Sequence, residues 1–194
     1  MAINNKISDL FPLKSIENVI ELFKHQLDDP EPDLTLLSIV SGIVENTLCQ
    51  HENTNPTKTF PKIDYESVDT LYQKFKSIVS IAEVTIPPTT VTKSKNKTIN
   101  AEPKYATREK IKKVSDVIWN SLLRSSYKDR AHLQSLYSYL TGNKLDSFGM
   151  ANAVVAGCQV LGYKDVHLAL SEDHVWAVFG KTGESSIMKF PMTS

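Results

Sequence analysis

The stretch that most constrains this chain is the fourteen-residue run GMANAVVAGCQVLG, Gly149 to Gly162, built almost wholly of small and aliphatic residues. A helix that is apolar all round belongs at the centre of a domain, and small side chains let neighbouring backbones approach it closely. Asp146 or Ser147 is placed to cap its start, and Gly162 to close it after Leu161. Two segments of alternating polarity follow, Asp165 to Leu170 and His174 to Phe179, joined by Ser171-Glu172-Asp173. Alternation of that kind marks strands with one buried face. Gly180 to Gly183 reads as a second turn and Ser186 to Phe190 as a candidate third strand. A buried helix followed by short antiparallel strands, after a helical first part, gives an α+β fold class.

The first part is helical by its spacing. Ile16, Val19, Ile20, Phe23 and Leu27 form an apolar stripe with Ser15 as N-cap, and Asp28-Asp29-Pro30-Glu31-Pro32 ends it. Leu34, Leu37, Val40, Ile43, Val44 and Leu48 predict a second helix, with Glu31 and Asp33 near its positive end. His51 to Lys62 is polar and carries Pro56 and Pro61, so it reads as a loop. Val68, Leu71, Tyr72, Phe75, Ile78, Val79 and Ala82 predict a third helix, and Val84 to Ile86 a short strand. Ile111, Val114, Ile118, Trp119 and Leu122 predict a helix from about Thr107 to Ser125. Leu133, Leu136, Tyr137 and Leu140 predict another, closed by Gly142 in the C′ position. The organisation expected is an N-terminal helical domain over 1–88, a basic linker or hairpin over 89–106, and a second domain over 107–194.

Composition excludes more than it selects. With 22 basic and 22 acidic side chains the formal net charge is zero, which argues against a domain that lives by binding phosphate backbone. The charge is uneven, however. Residues 1–64 hold 5 basic and 10 acidic side chains, residues 89–115 hold 8 basic and 2 acidic. Lys93, Lys95, Lys97, Lys104, Arg108, Lys110, Lys112 and Lys113 are therefore either a solvated linker or a basic patch for an acidic partner or weak DNA contact. Two cysteines, Cys49 and Cys158, make neither a disulfide scaffold nor a four-cysteine zinc site, and His25, His51, His132 and His167 are too scattered for a metal site. No cofactor is implied. The N-terminus lacks the basic flank and apolar run of a signal peptide, and no stretch approaches the roughly 18 apolar residues of a membrane helix. A soluble protein of a reducing compartment is expected, with no membrane partner, and the sequon at Asn96 is read as chance.

A buried central helix followed by a strand opening on H-x-W resembles the transglutaminase-like, papain-related cysteine hydrolase core. In that family a cysteine at the start of the helix is the nucleophile, a histidine on the next strand its base, and an acid on the strand after it orients the histidine. The resemblance puts Ser147 in the nucleophile position, His174 in that of the base and Trp176 beside it. No aspartate follows Asp173, and the one later acid, Glu184, sits at a turn. Cys158 lies eleven residues into the helix from Ser147, where a buried thiol is a small hydrophobe. The expectation is the fold of an enzyme without the activity.

The run KKVSDVIWNSLLRSSYKDRAHLQSLYSYLTGNKLDS, followed by DVHLALSEDHVWAVFG, resembles the menin family, and FPLKSIENVIELF and EPDLTLLSIVSGIVE are similar to its opening. That resemblance implies a non-enzymatic nuclear scaffold acting on transcription through chromatin. It implies an N-terminal domain with a long β-hairpin, then a transglutaminase-like domain. The partners implied are the N-terminal peptide of mixed-lineage-leukaemia-type histone methyltransferases and a Jun-family transcription factor. The LSEDH segment lines the peptide pocket in the family, which carries over to Leu170, Ser171, Glu172, Asp173 and His174. Phe148 stands where the family has a small polar residue near the pocket, and can fill part of the groove or repack against it. After Gly183-Glu184 the resemblance stops, short of the family's helical repeats, so a half-formed pocket and an exposed apolar face are expected. Two other readings stand beside the scaffold: an active transglutaminase-like cysteine hydrolase or acyltransferase, and a DNA-binding module using the basic 93–113 segment.

Overall fold

The computed structural model describes residues 5–50, 60–84, 105–122, 134–172 and 174–180. Seven helices and two strands are seen among them: α1 (Asn5–Ser8), α2 (Ile16–Leu27), α3 (Leu34–Gln50), α4 (Tyr65–Val84), α5 (Arg108–Ser121), α6 (Leu136–Gly142), α7 (Ser147–Val160), β1 (Val166–Leu170) and β2 (Val175–Phe179). The fold is α+β, mostly helical, with a two-stranded antiparallel sheet. No described helix is long and apolar enough to cross a membrane.

The small-residue helix α7 is the hub. It packs against α3, α4, α5 and both strands, and Ala151, Ala153, Val154, Ala156 and Cys158 are wholly buried. Asp146 caps it, its Oδ1 accepting from the Gly149 N–H at 2.7 Å. At the other end the chain turns through Gly162 at φ +86°. There the Tyr163 N–H reaches the Cys158 carbonyl and the Gly162 N–H the Gln159 carbonyl, both at 2.9 Å, which is the paired bonding of a Schellman close. A Cβ at Gly157 would stand 3.0 Å from Val79 Cγ1 and 3.1 Å from Val114 Cγ1. The missing side chain is what lets α7 lie this close to α4 and α5.

One continuous hydrophobic cluster runs from Ile7 through Phe75 and Tyr139 to Phe179. The rings of Phe75 on α4 and Tyr139 on α6 meet edge-to-face at 6.3 Å. Leu13 and Ile63 exchange two backbone hydrogen bonds of 2.9 Å, joining the entrances of α2 and α4. Lys74 on α4 donates to the Leu140 carbonyl in the last turn of α6 at 2.5 Å, where a cation also offsets the helix dipole.

The structure departs from the sequence reading at several places. A short first helix, α1, precedes the Phe11-Pro12 segment. Val84 is the last residue of α4 rather than the start of a strand, and Thr85 and Ile86 lie outside the described residues. The left-handed residue after α6 is Asn143, φ 51°, and Gly142 is still helical. Asparagine tolerates that conformation. α5 ends at Ser121 with Leu122 extended, Trp119 is 38% exposed, and 123–133 lie outside the described residues. The face of α2 that is buried is Val19, Leu22 and Gln26, while Ile16, Ile20 and Leu27 face outward. The candidate third strand at Ser186 to Phe190 and the linker 89–104 also fall outside the described residues.

Candidate functional site: the β1–β2 hairpin over the buried helix

The hairpin register pairs Val166 with Phe179, Leu168 with Ala177 and Leu170 with Val175, and His167 with Val178 and Ala169 with Trp176 between them. Because side chains alternate across a sheet, the first set shares one face and the second the other. Val166, Val175, Ala177 and Phe179 are buried, so the first face is the one laid on α7. Leu170 ends that face at the tip, where it is 63% exposed. Beyond it the Ser171 N–H donates to the His174 carbonyl at 2.8 Å, which closes the hairpin.

The predicted partner-binding residues therefore divide. His174 lies on the outer face, with its ring stacked on Trp176 at 5.8 Å between centroids and 22° between planes. His174 Nε2 is buried and has no hydrogen-bond partner among the described residues. Ser171 stands opposite His174 at the hairpin mouth. Glu172 is exposed at the tip. Asp173 lies outside the described residues. Phe148 sits in the first turn of α7, partly buried and packed against the core. The structure thus brings Ser171, His174 and Trp176 together, places Leu170 and Glu172 at the same tip, and turns Phe148 into the fold.

The hairpin is tied to α5 as well. Both carboxylate oxygens of Asp165 accept from the Ala106 N–H, at 2.9 and 3.1 Å. One residue on, Thr107 caps α5. Of the candidate basic patch, the described members do not form one cluster. Lys110 lies over the Tyr163 ring, 5.0 Å from its centroid. Lys112 pairs with Asp116 at 2.7 Å. At 100° per residue Arg108 and Lys112 share one side of α5, and Lys110 and Lys113 another. Lys93, Lys95, Lys97 and Lys104 lie outside the described residues.

Cys158 is wholly enclosed by the helix packing. Burial, and then the nearby Asp165 carboxylate, push its thiol up to about 12. It is a neutral thiol at physiological pH and a poor nucleophile. Cys49, at the far end of α3, is only partly buried. A thiol-directed maleimide is expected to label native Cys49 and leave Cys158 unmodified until the chain is unfolded, read by intact-mass spectrometry. Labelling of native Cys158 that disappears in a His174→Ala variant would instead mark it as an activated nucleophile. Among the described residues no group of three or more His, Cys, Asp or Glu side chains is placed to hold a metal ion.

A family model described as Menin matches residues 1–189. A solved structure described as "Crystal structure of menin reveals the binding site for Mixed Lineage Leukemia (MLL) protein" superposes with a TM-score of 0.69 at 44% sequence identity. The match covers 89% of this chain and 34% of that one, so the chain spans about a third of its length.

Proposed function

This chain belongs to the menin family, and from that premise we propose that it is a non-enzymatic nuclear scaffold element that binds short peptides of chromatin-regulating complexes. The ligand class is the N-terminal peptide of a mixed-lineage-leukaemia-type histone methyltransferase, with a Jun-family transcription factor competing for the same surface. Support for the partner comes from the 44%-identical menin, whose crystal structure reveals a binding site for MLL. In this reading residues 107–194 are a transglutaminase-like domain whose catalytic chemistry has been lost, preceded by a helical domain over 1–88.

The single observation that carries the reading is the hairpin tip. It presents an exposed apolar side chain, Leu170, beside an exposed carboxylate, Glu172, on strands anchored to the buried α7. A loop held on a rigid base is a common place for recognition. An apolar anchor of the peptide would use the first group, and basic residues flanking it the second. The buried thiol of Cys158 and the serine at position 147 both favour recognition over catalysis.

The test is fluorescence anisotropy with a labelled methyltransferase N-terminal peptide. Glu172→Lys together with Asp173→Lys is expected to weaken binding by about tenfold or more, and more steeply at low salt. Unchanged affinity would remove the hairpin from the interface. No saturable binding to the unaltered chain would remove this peptide as its ligand.

A further inference from the structure

We propose that the groove between α2 and α3 is a second docking surface, and that its occupant is an amphipathic helix of a partner protein with lysine or arginine flanking its apolar anchors. The groove has a volume of about 530 Å³, and Val19, Phe23, Val44 and Leu48 supply its apolar lining. It continues onto side chains that the fold leaves in water. Ile16 and Ile20 are each 46% exposed, Leu27 is 69% exposed and Leu48 is 47% exposed. Half of the eight exposed large apolar side chains of the described residues thus gather along two helices. Isolated exposed apolar residues are ordinary, but a contiguous patch marks a contact surface.

The geometry selects a helix. At 100° per residue Ile16, Val19, Ile20, Phe23 and Leu27 fall within one stripe along α2, about 16 Å long at 1.5 Å per residue. That length matches three turns of a ligand helix with anchors at i, i+4, i+7 and i+11. Both walls are helices whose backbone groups are already bonded internally. An extended peptide would find no strand edge to pair with, and its own N–H and C=O groups would sit over apolar side chains without partners. A helix brings its backbone already satisfied.

The charge selects the flanks. Residues 5–50 carry three lysines and eight carboxylates, and α3 has neither lysine nor arginine. Glu45 of α3 lines the groove itself, while Glu17, Glu21 and Lys24 are exposed farther round α2. A cationic helix is attracted to this rim. A second copy of the same face would set carboxylates against carboxylates, and an anionic lipid surface would be repelled in the same way. The surface lies on the N-terminal helices, apart from the β1–β2 hairpin, and stands or falls independently of peptide binding there.

The experiment uses the 194-residue chain and two synthetic peptides of about 18 residues. Both carry leucines at i, i+4, i+7 and i+11. One has lysine and the other glutamate at the remaining polar positions. By fluorescence anisotropy in physiological salt, the lysine peptide is expected to bind at least about tenfold more tightly than the glutamate peptide. Ile20→Glu and Leu48→Glu, both at exposed positions, are each expected to weaken the lysine peptide by about tenfold or more. Ile81→Glu puts the same change at an exposed apolar position on α4 and is expected to leave that affinity unaltered. Circular dichroism melts of each variant establish that the fold is intact. No binding, equal binding of the two peptides, or a loss that follows Ile81 rather than Ile20 would overturn the proposal. So would self-association of the chain that Ile20→Glu abolishes, which would give the groove to a second copy.

Discussion

Replacing Gly42 with alanine is expected to destabilise the chain by about 2–3 kcal/mol, although alanine is worth about 1 kcal/mol more than glycine inside a helix. Gly42 lies in the middle of α3, against the start of α6. A Cβ built there would meet Ser135 Oγ, stand 2.5 Å from Tyr137 Cβ and 2.7 Å from Ser135 Cβ. The hydroxyl can rotate away, but the two Cβ atoms are fixed to the backbone of α6, so the helix itself must move. Moving it is costly because Ser135 is the N-cap of α6, its Oγ accepting from the Ser138 N–H at 3.3 Å. One turn earlier on α3, the Ser38 hydroxyl accepts from the buried Leu136 N–H at 2.9 Å and from Asn152 Nδ2 at 3.2 Å. Those bonds tie α3 to α6 and α7 and would be stretched together. Overpacking therefore outweighs helix propensity. In a thermal melt the midpoint is expected to fall by about 5–10 °C, at roughly 2–4 °C per kcal/mol for a chain of this length. Gly142→Ala is the control. A Cβ there would touch only the Lys144 side chain, at 3.9 Å, so its melt is expected to be unchanged or slightly raised. A Gly42→Ala melt equal to that of the unaltered chain would mean that α6 does not pack this closely.

That close approach shows where sequence reading runs out. Periodicity marks α3 as a helix, but nothing near Gly42 announces a neighbour more than ninety residues away. By contrast α7 was legible from local signals: a run of small residues, a cap at Asp146 or Ser147, of which the structure uses Asp146, and a closing glycine in the left-handed region. The hairpin was legible too, since alternation in DVHLAL and HVWAVF leaves one register in which the buried face is continuous. The stripe Ile16, Val19, Ile20, Phe23 and Leu27 gave the helix but not its buried side. The interior includes Gln26, a polar residue, because its Oε1 accepts the Asp33 N–H at 2.9 Å. No hydrophobic pattern contains that bond, so the pattern alone turns the Ile16–Leu27 stripe inward and hides the α2–α3 groove. The basic run over 93–113 looks continuous in one dimension, but helical spacing divides its described members and sets Lys110 over Tyr163 and Lys112 against Asp116. For the candidate site, the residue pattern gave only a polar turn at the end of two strands. The assignment of LSEDH to peptide binding came from resemblance to a family, and chemistry read from four polar residues would not have supplied it.

The turn that rotates α2 also holds the second large effect. Asp33 caps α3, its Oδ1 accepting from the Leu36 N–H at 3.0 Å, and its Oδ2 accepts the Tyr72 hydroxyl of α4 at 2.9 Å. Next to it Gln159 of α7 accepts from the Leu34 N–H at 3.0 Å and donates to the Pro32 carbonyl at 2.7 Å. Four helices therefore meet at the start of α3. Asp33→Ala removes the cap, worth about 1–2 kcal/mol, and leaves the half-buried Tyr72 hydroxyl without its acceptor, for about 1 kcal/mol or more. A loss of about 2–3 kcal/mol is expected in urea unfolding at neutral pH. Asp33→Asn keeps a capping oxygen and removes the charge, so it is expected to cost less than about 1 kcal/mol. The pH dependence separates the two contributions. Burial is the largest influence on Asp33 and raises its carboxyl above the ordinary value, against the Leu36 N–H, Tyr72 and Thr35 N–H bonds that lower it. The folded state then holds the proton more tightly than the unfolded one. The contribution to stability grows as pH falls from the raised folded value toward the ordinary carboxylate range, and is lost as pH rises through that window. The unaltered chain is therefore expected to gain on the Asp33→Asn variant as the solution is acidified, whatever other carboxylates do to both. The opposite trend would show that the hydrogen bonds to the carboxylate outweigh its desolvation, and that Asp33 holds the junction of α2, α3, α4 and α7 as a charge.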